Sequence, residues 1–178
     1  MFSEIFNNIL LQNVFSTLIG GILLTVLLFI LKEKVFSPVP ITGLWTFEVK
    51  VINSTRINFR GMTLIYLAMV RREGQSVLGR GEKVGEKLGA GKYVEYPMKT
   101  RKPFEIRGSI IKSYLTNNDE ITLDLMEEGP LRNSITQQKL VYDSKNQVLI
   151  GRFISSAANS SGIVKWTKGY SGINEKNY

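Results

Sequence analysis

The chain is 178 residues long, with 23 Lys and Arg against 15 Asp and Glu, a formal net charge of +8, and neither Cys nor His. The two missing residue types exclude thiolate nucleophiles, Cys/His zinc sites, Ser-His-Asp triads, imidazole metal ligands and disulfides. Carboxylate-only metal sites and carboxylate-pair hydrolases are not excluded. Every charged side chain except Glu4 lies beyond residue 31, so the remainder is one unit more basic than the whole, a bias that suits anionic partners such as lipid headgroups or a phosphate-bearing ligand.

Residues 5–31 carry no charged side chain, and residues 14–31 are almost wholly apolar. Because roughly 20 apolar helical residues cross the ~30 Å hydrocarbon core, a transmembrane helix is predicted within residues 9–31, in an N-terminal anchor spanning 1–36. A cleaved signal peptide fits poorly. Glu4 stands where a positive n-region belongs, the apolar run is too long, and Lys32-Glu33-Lys34 follows it. The same two lysines predict a single pass with the domain that follows, residues 37–178, in the cytoplasm. Thr17, Gly21 and Thr25, four apart, make a small-residue face of the kind that lets helices approach closely in lipid.

Phe36-Ser37-Pro38-Val39-Pro40 reads as a short stiff linker. The pattern then changes to alternation, with Trp45, Phe47, Val49 and Val51 on one side and Thr46, Glu48 and Lys50 on the other, which predicts a half-buried strand. Seven similar segments follow at about 62–72, 76–84, 104–114, 120–127, 133–142, 148–156 and 163–168. Turn chemistry joins them at Glu73-Gly74-Gln75, Thr116-Asn117-Asn118-Asp119, Glu128-Gly129-Pro130, Asp143-Ser144-Lys145-Asn146 and Asn159-Ser160-Ser161-Gly162. Short joints imply antiparallel neighbours, and no helical period appears beyond residue 41. An all-β, eight-stranded antiparallel up-and-down β-barrel resolves the exposed edges, with an interior filled by side chains or holding one small ligand. The longest joint, 85–103, is glycine-rich and basic.

Gly79-Arg80-Gly81-Glu82-Lys83-Val84-Gly85 misses the dinucleotide fingerprint by one position. Gly85-Glu86-Lys87-Leu88-Gly89-Ala90-Gly91-Lys92 has the wrong spacing for a P-loop and lacks the Ser or Thr after its lysine. Gly79 and Gly81 read instead as strand glycines on one face, where a barrel bends or a ligand approaches. Arg80 and Glu82, Arg107, Arg132 and Arg152 interrupt strand patterns, either as solvated outer residues or as lumen cations that must be paired or bound. Arginine offers a planar fork of donors to phosphate. Trp45, Tyr66, Tyr114 and Trp166 offer stacking surfaces for a base, or else belong to the core. Asp124, Glu127 and Glu128 read as a charged surface beside a turn rather than an acid/base pair. The Asn53-Ser54-Thr55 sequon matters only for an extracellular domain.

The apolar N-terminus, Gly43-Leu44-Trp45, Arg60-Gly61-Met62-Thr63-Leu64, Gly79-Arg80-Gly81-Glu82-Lys83, Arg107-Gly108-Ser109-Ile110, Glu128-Gly129-Pro130-Leu131-Arg132-Asn133-Ser134 and Gly151-Arg152-Phe153-Ile154-Ser155-Ser156-Ala157-Ala158 occur in an order that resembles the CD-NTase-associated β-barrel effectors of bacterial CBASS antiphage defence, a STING-like receptor family. The resemblance spans nearly the whole chain. It implies a barrel that receives a cyclic dinucleotide rather than a nucleic-acid polymer, without catalysis, cofactor or metal. It also implies a transmembrane module that oligomerises and disrupts the bacterial inner membrane, with its N-terminus periplasmic. The chain departs from the family in showing one span where two or more are common, so a pore would need oligomers. Arg80, Lys83, Arg107, Arg132 and Arg152 are the candidates for phosphates or base edges, with Tyr66 and Trp166 for stacking. Two other readings of the residues stay open: a membrane-anchored, lipocalin-like carrier of a hydrophobic ligand, and a structural or inhibitory membrane protein with a filled barrel.

Overall fold

The computed structural model describes residues 2–35, 39–89, 91, 93–112, 119–128 and 133–169, with side chains in the N-terminal helix described over 12–31. The chain divides after Val39 into two compact units. The first contains one helix, α1 (Phe2–Val35), whose segment Gln12–Leu31 is long and apolar enough to cross a membrane. A helix satisfies its backbone internally, as lipid requires, and the two threonines of the small-residue face satisfy their own hydroxyls. Thr17 Oγ1 donates to the Asn13 carbonyl and Thr25 Oγ1 to that of Gly21, each at 2.8 Å.

Among the described residues the second unit is built from nine strands: β1 (Gly43–Asn53), β2 (Thr63–Glu73), β3 (Ser76–Lys87), β4 (Tyr93–Glu95), β5 (Lys102–Ile111), β6 (Glu120–Glu127), β7 (Ser134–Asp143), β8 (Val148–Ser155) and β9 (Ser160–Lys168). Eight of them close an antiparallel barrel in the order β1-β2-β3-β5-β6-β7-β8-β9, with β9 returning to pair with β1. The predicted up-and-down barrel is therefore present. The addition is β4, which lies inside the long glycine-rich joint. Beyond Lys83, which pairs with Lys102, the β3 edge passes to β4, where Gly85 faces Glu95 and Lys87 faces Tyr93. Three residues are too few to show a two-residue period, so sequence pattern does not reveal this strand.

Alternation decides what fills the barrel. On β1, Trp45, Phe47, Val49 and Val51 are buried while Glu48 and Lys50 are exposed. At the pole where β1 begins, Trp45, Val70, Val77, Ile110, Ile121, Leu140 and Leu149 plug the interior. Trp45 packs edge-on against Trp166 at 6.3 Å and donates its indole N–H to the Ile41 carbonyl at 2.6 Å. On β3 two inward positions between Val77 and Lys83, Gly79 and Gly81, are glycines. A Cβ at Gly81 would collide with the Phe104 ring and the Leu67 carbonyl, so the missing side chain is what lets Phe104 lie across the barrel wall.

Candidate functional site: a pocket at the open pole

The opposite pole, where β3 and β6 end and β7 and β9 begin, is hollow. A cavity of about 390 Å³ opens there, lined by side chains from β1–β3 and β5–β9. Its size and mixed lining suit a small ligand. The inward phases of the strands deliver three chemistries to it.

The first is aromatic. Tyr66, Phe47 and Trp166 occupy adjacent positions on β2, β1 and β9, and their rings stack in series. Tyr66 and Phe47 lie 4.8 Å apart at 6°, and Phe47 and Trp166 4.0 Å apart at 9°. Phe104 meets both Phe47 and Tyr66 edge-on, at 6.0 and 5.5 Å. Burial pushes the Tyr66 phenol well above its ordinary range, with the Glu127 carboxylate adding to the shift, so the hydroxyl stays neutral.

The second is neutral and polar. Thr136 Oγ1 donates to Ser155 Oγ at 2.8 Å, and Ser160 Oγ to the Ala157 carbonyl at 2.8 Å. Below them is Gln138, fully buried, whose Oε1 accepts the Trp166 indole N–H at 2.9 Å. Since an indole nitrogen only donates, that bond fixes which way the amide points. Gln138 Nε2 is consequently a buried donor without a partner among the described residues, a state that costs about 1–3 kcal/mol until an acceptor arrives.

The third is charge, concentrated at the mouth, where Lys83, Lys102 and Glu127 stand. Lys83 contacts Glu86 Oε2 at 2.9 Å and lies 5.1 Å from the centre of the Tyr96 ring. Tyr96 donates its hydroxyl to the same Glu86 oxygen. Burial alone raises the Glu86 carboxyl, but the bonds from Tyr96 and Lys83 outweigh it and hold it below the ordinary range. Burial and the neighbouring Glu86 push the Tyr96 phenol up. Arg101 staples this β4 flap to the barrel. Its guanidinium reaches Glu82 at 2.6 Å and Glu95 at 3.2 Å, and its Nε donates to the Tyr96 carbonyl at 3.0 Å. Among the described residues no cluster of three carboxylates suits a metal ion.

The sequence-derived candidates separate on this geometry. Lys83 and Tyr66 line the pocket. Trp166 is fully buried, one ring face covered by Phe47, so it holds Gln138 rather than offering a stacking surface. Arg80, Arg107 and Arg152 are exposed on the outer wall, and the expectation of lumen arginines fails for all three. The strand phase that turns Gly81, Ile106 and Phe153 inward turns these arginines outward. Arg80 pairs with Glu105 at 3.3 Å, and Arg107 reaches the same carboxylate at 3.6 Å. Arg132 and Tyr114 lie outside the described residues. Sequence reasoning missed Lys102, Thr136, Gln138 and the two serines, although Thr136, Gln138 and Leu140 show the signal, a polar pair sharing one strand phase with a core leucine. Comparison of the chain with protein families, with curated proteins and with solved structures finds no match.

Proposed function

We propose that this chain is a membrane-anchored receptor whose barrel binds a cyclic dinucleotide in the open-pole pocket, and that it acts as an effector of CBASS antiphage defence. The observation that carries the reading is the polarity gradient of the pocket. An oriented, unpartnered amide donor waits at the floor, and two lysines stand at the mouth. A nucleobase presents acceptors to the first, and phosphates meet the second through charge-assisted bonds. Occupancy then favours assembly of barrels and concentrates the N-terminal helices, which disrupt the inner membrane. Ligand must bind the assembled state more tightly, since equal affinity for both states shifts nothing. The barrel is assigned to the cytoplasm and the N-terminus to the periplasm.

Calorimetric titration of the full chain in detergent micelles against cyclic dinucleotides, with linear dinucleotides as controls, tests this. Saturable binding to one cyclic species that weakens as salt rises is expected. A second reading, carriage of a hydrophobic ligand, draws on the apolar walls formed by Val49, Val51, Leu64, Leu125 and Phe153. No heat with any dinucleotide, together with lipid extracted from the purified protein, would replace the receptor reading with this one.

A further inference from the structure

The outer wall of the barrel is not uniform. Over β2, β3 and β5 its arginines have carboxylate partners: Arg71 meets Glu73 at 3.2 Å, and Arg80 and Arg107 share Glu105. Over β7, β8, β9 and β1 the arrangement differs. Strand register places Lys139 opposite Arg152, Arg152 opposite Ile163, and Ile163 opposite Lys50, so three cations stand in one cross-strand row. Like charges directly opposite one another destabilise a sheet. Lys139 reaches Glu120 at 3.3 Å at the margin, and the exposed Glu48 stands opposite Lys165 in the register, but the cations of this face outnumber that carboxylate, and among the described residues Arg152, Lys50 and Lys165 form no ion pair.

The rows on either side carry exposed aliphatic side chains among polar and charged ones. Val141 faces Ile150, and Ile150 faces Lys165; on the other side Ile154 lies between Gln137 and Ser161. Ile154 is 63% exposed, Ile150 and Ile163 each 47%, and Val141 41%. Water is a poor environment for this face on both counts, because the cations repel one another and the isoleucines are wetted.

We propose that the β7–β8–β9–β1 face of the barrel lies on an anionic lipid surface. Phosphates of the headgroups accept from Arg152, Lys165 and Lys50, and the isoleucines enter the boundary between headgroups and acyl chains, the arrangement by which amphipathic surfaces bind membranes. Charge complementarity selects this occupant. A second copy docking through the same face would bring cation against cation, whereas an anionic leaflet neutralises the row. The chain also carries a helix long enough to span a bilayer, so the barrel meets lipid at a high effective concentration and a weak surface contact suffices. The face shares no residue with the pocket, and the proposal stands whatever ligand the pocket takes.

The absence of cysteine makes the test clean. The full chain carrying a single fluorophore at Ile154→Cys, or at Ser109→Cys on the exposed outer side of β5, is reconstituted in nanodiscs with a quencher attached to the lipid headgroup region. Discs of phosphatidylcholine alone are compared with discs containing one quarter phosphatidylglycerol. Quenching at position 154 is expected to exceed that at 109 several-fold in the anionic discs and to fall to the level of 109 in the neutral ones. The triple reversal Arg152→Glu, Lys165→Glu, Lys50→Glu should remove the difference, since three surface cations shift the docked-to-free ratio by roughly a hundredfold. Equal quenching at the two sites in anionic discs overturns the proposal, as does quenching indifferent to lipid charge. Protection of position 154 that appears only as copies per disc increase assigns the face to a second chain instead.

Discussion

Replacing Gln138 by leucine separates stability from binding. Leucine removes the unpaired Nε2 donor, whose burial costs about 1–3 kcal/mol, and orphans the Trp166 indole N–H, now 2.9 Å from Oε1, at a cost of the same order. These terms offset. Leucine also buries more apolar surface than the amide did, a gain bounded by the roughly 1.5–3 kcal/mol of a whole aliphatic side chain. The free variant should therefore be as stable as the parent or up to about 2 kcal/mol more stable. Urea unfolding of the full chain in micelles measures this, with tryptophan emission as the signal, because both tryptophans lie inside the barrel. Affinity for the cyclic dinucleotide should meanwhile fall roughly tenfold, the worth of one hydrogen bond. A stability loss beyond about 2 kcal/mol would refute the reasoning, for it would mean that the amide nitrogen is already paired in the free protein. Unchanged affinity would remove Gln138 from the binding site.

Lys83→Gln and Lys102→Gln should each weaken dinucleotide binding by roughly ten- to a hundredfold, the range of a charged hydrogen bond, while Arg80→Gln, Arg107→Gln and Arg152→Gln leave the calorimetric affinity unchanged. Gly81→Ala forces a methyl group against the Phe104 ring and the Leu67 carbonyl and should cost about 1–3 kcal/mol in the same urea assay. The Glu86 carboxyl is held low in the folded protein, so its contribution is present above the unfolded glutamate value of about 4.3 and is lost as pH falls through the lower folded value. A carbon-detected NMR titration should place its midpoint below that of a free glutamate. Tyr96→Phe should move the midpoint upward.

The strands were legible because most of the barrel obeys alternation, as in Trp45, Phe47, Val49 and Val51. The inward phase at the arginines was not, for two physical reasons. Gly79 and Gly81 have no side chains with which to mark the buried side of β3, so Arg80 between them looks like a lumen residue. On β8 the outer wall is itself aliphatic, and Ile150 and Ile154 flank Arg152 as core residues would, although all three are exposed. Pattern reading equates apolar with inside, and it fails on a surface whose isoleucines are outside. Trp166 failed differently. Its type suggested a stacking surface, but only the three-dimensional series with Phe47 and Tyr66 shows that its ring is already covered.

Closing the ladder from β9 back to β1 also constrains how barrels meet. A closed hoop has spent its backbone amides and carbonyls on itself, and it offers a neighbouring chain no template for adding a strand. Among the described strands only β4 keeps an open side, and it is three residues long and held by Arg101. Continuous sheet polymerisation through the eight closed strands is thus denied by their own circumference. A contact between the closed walls of two barrels must be made by side chains, so it can be tuned, strengthened or abolished one surface residue at a time without touching the hydrogen-bonded frame.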